Sequence, residues 1–176
     1  MVEPTSGEIL NQGIKVYKDE SWKAKTSAFI DSTFIIGYLT PEEYFEFIAE
    51  LRGVAKEELN DWLENFSSFF KDEVLNQKKY IRDLSKGNQK KVGITASFIG
   101  SPELVVLDEP FSNLDPSSQI ILKKLIENFY KNQNTTFLIS SHDLSHVTEV
   151  CNRIVLLEKG VVIKDIESTY YIGSKK

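Results

Sequence analysis

The sequence predicts an α/β domain built on a mostly parallel sheet, with a helical stretch inserted near its middle. Three observations predict it. The last third alternates short apolar runs with segments of helical period, the pattern of parallel strands joined by crossover helices. Residues from about 40 to 100 are instead dominated by helical spacing. Finally, the apolar run ELVVLD (103–108) ends in two adjacent carboxylates, Asp108 and Glu109, followed by a proline. Ligands of a parallel sheet sit beyond the carboxyl ends of its strands, so both acids stand where chemistry is expected.

The elements follow in order. EPTSGEILNQGIKVY (3–17) alternates turn residues with short apolar segments, and Gly7 and Asn11-Gln12-Gly13 mark the corners of a small β meander. SAFI (27–30) is a further short strand. Thr40, Pro41 and Glu43 supply an N-cap, a proline at N1 and an acid at N3, which start a helix. Its expected buried face is Tyr44, Phe47, Ile48 and Leu51, and it stops near Gly53. A second helix carries Leu59, Trp62, Leu63, Phe66 and Phe70. Ser85 fits the N-cap of a third, continuing through Lys90, Lys91, Val92 and Ile94.

ELVVLD reads as a fully buried strand. Asp115 caps the next helix, SSQIILKKLIENFY (117–130), with Pro116 at N1. TTFLIS (135–140) is a strand, DLSHVTEV (143–150) a short helix, and RIVLLE (153–158) a strand that turns at Lys159-Gly160 into VVIKD (161–165). There is no internal repeat or low-complexity tract. The chain therefore reads as one mixed domain over 1–176: a β region over 1–31, a helical subdomain over 40–100 and a second core half over 101–176.

The 176 residues are 41% hydrophobic, enough for a sizeable core, and the net charge of −5 argues against a broad nucleic-acid surface. The single cysteine, Cys151, cannot form an internal disulfide and is expected in the core; His146 is expected on a helix surface. The longest apolar runs, FIIGYL (34–39) and ELVVL (103–107), are too short to span a bilayer, and no charged leader precedes them. The expectation is a soluble intracellular protein.

Two carboxylates at a strand end suit a nucleotide hydrolase. One would hold Mg²⁺, directly or through water, and the other would orient or deprotonate the attacking water. The alternative is a strand end with two solvated acids. The neighbours favour the first. LSKGNQKKVGITASFIGSP (84–102) offers a helix start with a hydroxyl at Ser85, close approach at Gly87 and nearby lysines, the makings of a phosphate site. The strand TTFLIS delivers His142 to the same sheet edge.

LSKGN, LVVLDEP, SNLDP and ISSHD, in this order and spacing, resemble the signature motif, Walker B motif, D-loop and H-loop of the ATP-binding-cassette family. EPTSGEI looks like that family's early β region. The resemblance implies a P-loop NTPase core of the ABC type with an inserted α-helical subdomain, and ATP and Mg²⁺ as ligands. Asp108 resembles the Mg²⁺-associated aspartate, Glu109 the catalytic base, and His142 the histidine that contacts the γ-phosphate. Ser85 and Gly87 resemble signature residues, which close over ATP held by a partner subunit. Asp115 resembles part of the D-loop, which passes between subunits.

The implied partners are a transmembrane transporter subunit and a second cassette, identical or different, with no nucleic acid. The implied place is the cytoplasmic face of the cell membrane, and the implied type is exporter-like. The sequence also departs from the family's commonest pattern. Lys86 stands for glycine and Asn88 for glutamine, and Asp31 falls where the Q-loop usually has glutamine or glutamate. Asp31 is either a partner for a Mg²⁺-bound water or a plain loop aspartate.

A phosphate-cradling loop needs Gly-x-x-x-x-Gly-Lys-Ser/Thr, and no glycine here is followed by Lys and then Ser or Thr. In the family that motif lies upstream of PTSGE. The expectation is therefore a cassette with its N-terminal part truncated, as in a partial reading frame. Three lost charge-assisted hydrogen bonds cost about 4.5–9 kcal/mol, against about 8 kcal/mol in a micromolar affinity. Little hydrolysis is expected from this chain alone. The family's P-loop strand also lies between the strand leading to His142 and RIVLLE, so those two either close up or leave a weakened sheet. Two other readings remain: a non-catalytic module lending its signature motif to an intact partner, and a cassette ATPase outside transport.

Overall fold

In the computed structural model, which describes residues 3–167, a three-stranded parallel sheet positions everything else. Its strands are β3 (Thr26–Phe29), β4 (Leu104–Asp108) and β5 (Thr136–Ser140), in that order. Phe29 pairs with Leu107 and Asp108 with Ser140, so the carboxyl ends are level. Before the sheet comes a hairpin of β1 (Leu10–Asn11) and β2 (Ile14–Lys15). Its turn uses positive φ at Gln12 and Gly13, the conformation that matches strand twist. The portions of the expected end regions at 1–2 and 168–176 lie outside the described residues.

The helical insertion begins where the local chemistry says it should. Helix α1 (Pro41–Arg52) is started by reciprocal bonds between Thr40 and Glu43 and ended by Gly53 at φ +70°. Its buried face differs from expectation. Phe45 and Ala49 are buried, Tyr44 and Ile48 are half-buried against the core, and Phe47 and Leu51 are 40% and 67% exposed. One residue is a rotation of about 100° on a helix, so two overlapping apolar stripes were available and the packing partner chose between them.

The expected second helix is broken. Helix α2 (Lys56–Leu63) passes through a 3₁₀ turn (Glu64–Phe66) into the one-turn α3 (Ser67–Phe70), which Lys71 ends at φ +53°. The break still delivers Phe66, Phe69 and Phe70 to the core. There Phe66 meets Phe98, Phe129 and the half-buried Trp62 at ring-centroid distances of 4.5 to 6.2 Å.

Helix α4 (Lys86–Phe98) lies on β3. Gly93 makes this approach possible, because a Cβ there would sit 2.3 Å from the Phe29 ring. On β4, Val105 and Leu107 enter the core with residues of α4 and of α5 (Pro116–Gln133). The alternate positions Leu104, Val106 and Asp108 are half-buried. The strand expected to be buried on both faces is buried on one. Cys151 is half-buried against the core, as its type suggests, and burial pushes its thiol pKa up.

After β5 come α6 (Leu144–Val150), β6 (Arg153–Glu158) and β7 (Val161–Glu167). Strands β6 and β7 pair antiparallel with each other and form a separate sheet. Thus β5 and RIVLLE do not close up. Among the described residues β5 pairs only with β4, Leu138 on it is 61% exposed, and β7 is exposed along its length. His146 in α6 is not ordinary surface: its side chain is 16% exposed and its ring packs on Phe111 at 4.7 Å. Among the described residues, no helix is long and apolar enough to cross a membrane.

Candidate active site at the ends of the parallel strands

Because β4 and β5 end in register, Asp108 and Ser140 are neighbours, and the Ser140 hydroxyl donates to Asp108 Oδ1. The next residue continues the latch. The Glu109 N–H donates to the Ser140 carbonyl at 3.1 Å. Glu109 then turns into a left-handed backbone, φ +46°, immediately before Pro110. A non-glycine residue resists that conformation, and a following proline restricts it further. Strain of this kind persists only where the surroundings hold it.

The turn aims the Glu109 carboxylate at the loop leaving β5. Glu109 Oε1 accepts from the His142 N–H at 2.9 Å and lies 2.7 Å from His142 Nδ1, a distance that places a ring proton on Nδ1. The hydrogen bond to Glu109 and its negative charge raise the His142 pKa above the ordinary 6.5. The imidazole itself is 82% exposed and the Glu109 side chain 35% exposed, so both are reached by solvent.

Chemically, the arrangement presents one carboxylate anchored by a hydroxyl, one carboxylate paired with a protonatable ring, and free oxygens on both. Among the described residues no group of three or more His, Cys, Asp or Glu could hold a metal ion. The two strand-end carboxylates are the donor type Mg²⁺ takes, since it is usually held by one or two carboxylates together with water and substrate phosphates. Asp108 is the residue that fits.

The other expected residues lie around this group without contacting it. Ser85 caps α4, its Oγ accepting from the Asn88 N–H at 3.2 Å. A Cβ on Gly87 would stand 2.9 Å from the Asn113 carbonyl, so the glycine lets α4 touch the loop before α5. Asp115 is occupied as the α5 cap: it accepts from the N–H groups of Ser117 and Ser118, both hydroxyls, and Lys71 Nζ at 2.8 Å. These partners, Lys71 first, hold its carboxyl far below the usual carboxylate range.

Asp31 caps a 3₁₀ turn (Ser32–Phe34) just past β3, accepting from the Thr33 N–H at 2.8 Å, which lowers its pKa. It shares the sheet edge with Asp108 but not a bond. Two contributions escaped the sequence reading. Ser140 could have been found as the strand-end hydroxyl opposite Asp108. Lys90 was expected only as a lysine of the phosphate-site helix; its Nζ donates to the Glu109 carbonyl at 2.7 Å, a partner that sequence spacing does not reveal.

The ABC transporter family matches residues 1–112 of this chain. An uncharacterized ABC transporter ATP-binding protein of Alkalihalophilus pseudofirmus is 34% identical over 177 residues, covering 93% of this chain and 60% of its own length. The corresponding protein YhaQ of Bacillus subtilis is 36% identical over 154 residues, covering 80% of this chain and 49% of its own. The chain thus spans about half to three-fifths of these curated relatives.

A solved ATP-binding subunit of an ABC transporter superposes with a TM-score of 0.80 at 25% identity, over 94% of this chain and 68% of that one. A dimeric ATP-binding cassette, in a post-hydrolysis state with ADP and Pi, shares the fold with a TM-score of 0.77 at 20% identity, over 94% of this chain and 75% of that one.

Proposed function

The chain belongs to the ABC transporter family, and from that premise we propose that it is the hydrolysing portion of an ATP-binding subunit whose phosphate grip comes from outside these 176 residues. The observation that carries the reading is the group at the strand ends: Asp108 latched by Ser140, and Glu109 held against His142. In the reaction, Glu109 accepts a proton from the attacking water, or orients it. His142 steadies the transferred phosphoryl group and the Glu109 carboxylate together. Mg²⁺, which spreads the charge developing on the phosphate oxygens, would be held through Asp108. The residues at the start of α4, Ser85 and Gly87, are read as closing over nucleotide on a second cassette, with Asp115 bracing the loop between.

The supplied loop would enter beside β5. Among the described residues that strand pairs only with β4, and β6 and β7 form a separate sheet. Coupling to a separate membrane subunit, an exporter-like direction and a place at the inner membrane face extend the same reading. A second reading draws on the missing Gly-x-x-x-x-Gly-Lys-Ser/Thr motif: the chain lends Ser85 and Gly87 to an intact partner and holds no nucleotide itself. Turnover by the protein at the mass it has in its own cells tests the first reading. Glu109→Gln should lower kcat by about 10²–10⁴-fold, the usual yield of positioned general-base catalysis. Unchanged turnover in that variant would leave only the lending role.

A further inference from the structure

Lys90 stands on α4, five residues beyond Ser85, and is half-buried. Its Nζ donates to two acceptors on the turn after β4: the Glu109 carbonyl at 2.7 Å and Ser112 Oγ at 2.5 Å. Ser112 in turn donates to the same carbonyl, from Oγ at 2.9 Å and from its N–H at 3.3 Å. Three donors therefore converge on one carbonyl oxygen, and one of them is an ammonium. Charge-assisted bonds of this kind are roughly twice as strong as neutral ones. The carbonyl they hold belongs to the residue with φ +46° before a proline, the position on this edge that most needs holding.

The direction of the Glu109 carboxylate follows from that backbone. Fixing the carbonyl fixes the Cα–Cβ vector, and with it the reach of Oε1 to the His142 N–H and ring. The turn contacts α4 also at Gly87, whose Cα side lies against Asn113. Helix α4 is thus joined to the turn at its first residues and again one turn later.

We propose that Lys90 is a positioning residue for Glu109: its ammonium locks the 109–112 turn to α4, so that displacing the start of α4 releases the carboxylate from His142. This rests on the reading of Glu109 as the base for its importance, but not for its test, which needs no turnover.

The experiment records the NMR amide and ring resonances of His142 in this 176-residue chain. It compares wild type with Lys90→Met, Lys90→Arg and, as the reference for a lost contact, Glu109→Ala. The His142 signals of Lys90→Met should move to the positions seen in Glu109→Ala, with Lys90→Arg staying at wild type and the α5 amides unchanged in all. The proposal is overturned if Lys90→Met keeps the wild-type His142 signals. It is equally overturned if Lys90→Arg shifts them as far as Lys90→Met does, since the effect would then be one of packing. Should Lys90→Met fail to fold, Lys90→Gln shortens the side chain and removes the ammonium while keeping it polar; it must displace the same signals, and wild-type signals there overturn the proposal. If Lys90→Met behaves as expected while Glu109→Gln retains turnover, the catalytic reading fails and the positioning role stands.

Discussion

At Glu109 a single oxygen, Oε1, takes both the backbone N–H and the imidazole of His142, so the charge state of one residue is tied to the other. The His142 pKa is raised in the folded chain above its ordinary 6.5. The pair's contribution to stability is therefore fully present below pH 6.5 and is lost as pH rises through the folded value. Following the His142 ring by NMR across pH, Glu109→Gln should bring its midpoint down toward 6.5; an unmoved midpoint would deny the pairing. Asp115 has the opposite sign, because its carboxyl is depressed: its contribution is present above the ordinary 3.8 and lost as pH falls. Asp115→Ala should destabilise the chain by about 0.5–2 kcal/mol through the lost α5 cap, read from urea unfolding at neutral pH. Both acids were legible from sequence because caps and strand ends are local features. The bond from Lys90 was not, since its acceptor lies 19 residues away across two elements.

Among the elements, α4 has the strictest requirements. It touches β3 at Gly93 and the loop before α5 at Gly87, and both contacts exclude a side chain. Gly93→Ala would drive a methyl into the Phe29 ring, and overpacking of this sort costs about 1–3 kcal/mol. Thermal or urea unfolding of Gly93→Ala measures it, and a neutral result would mean that α4 does not lie on β3 as described. The start and stop of α1 were readable because Thr40, Glu43 and Gly53 satisfy backbone groups within one turn. Its buried face was not, because Phe45 and Phe47 both keep helical spacing with apolar neighbours. Only the surface presented by the rest of the core selects Phe45. The break between α2 and α3 was illegible for a related reason: the apolar spacing from Leu59 to Phe70 survives a 3₁₀ turn almost unchanged.

For the whole molecule, the parallel sheet among the described residues has three strands, with β5 at one edge. Among the described residues β5 pairs only with β4, and the separate β6–β7 hairpin exposes Leu157, Val161 and Val162 by more than half. Unpaired edges beside apolar surface recruit other chains. The 176-residue chain alone should therefore show concentration-dependent association in light scattering, and a chain that stays monomeric at high concentration would speak against the open edge.

On the proposed reading, Asp108 and Glu109 are the hydrolysing carboxylates and the grip on the phosphates is supplied from outside these 176 residues. Titration calorimetry of the isolated 176-residue chain with Mg-ATP tests that directly. No binding in the micromolar range is expected, since about 4.5–9 kcal/mol of phosphate contacts are lacking. A micromolar dissociation constant would contradict it and would require a phosphate site elsewhere on this chain.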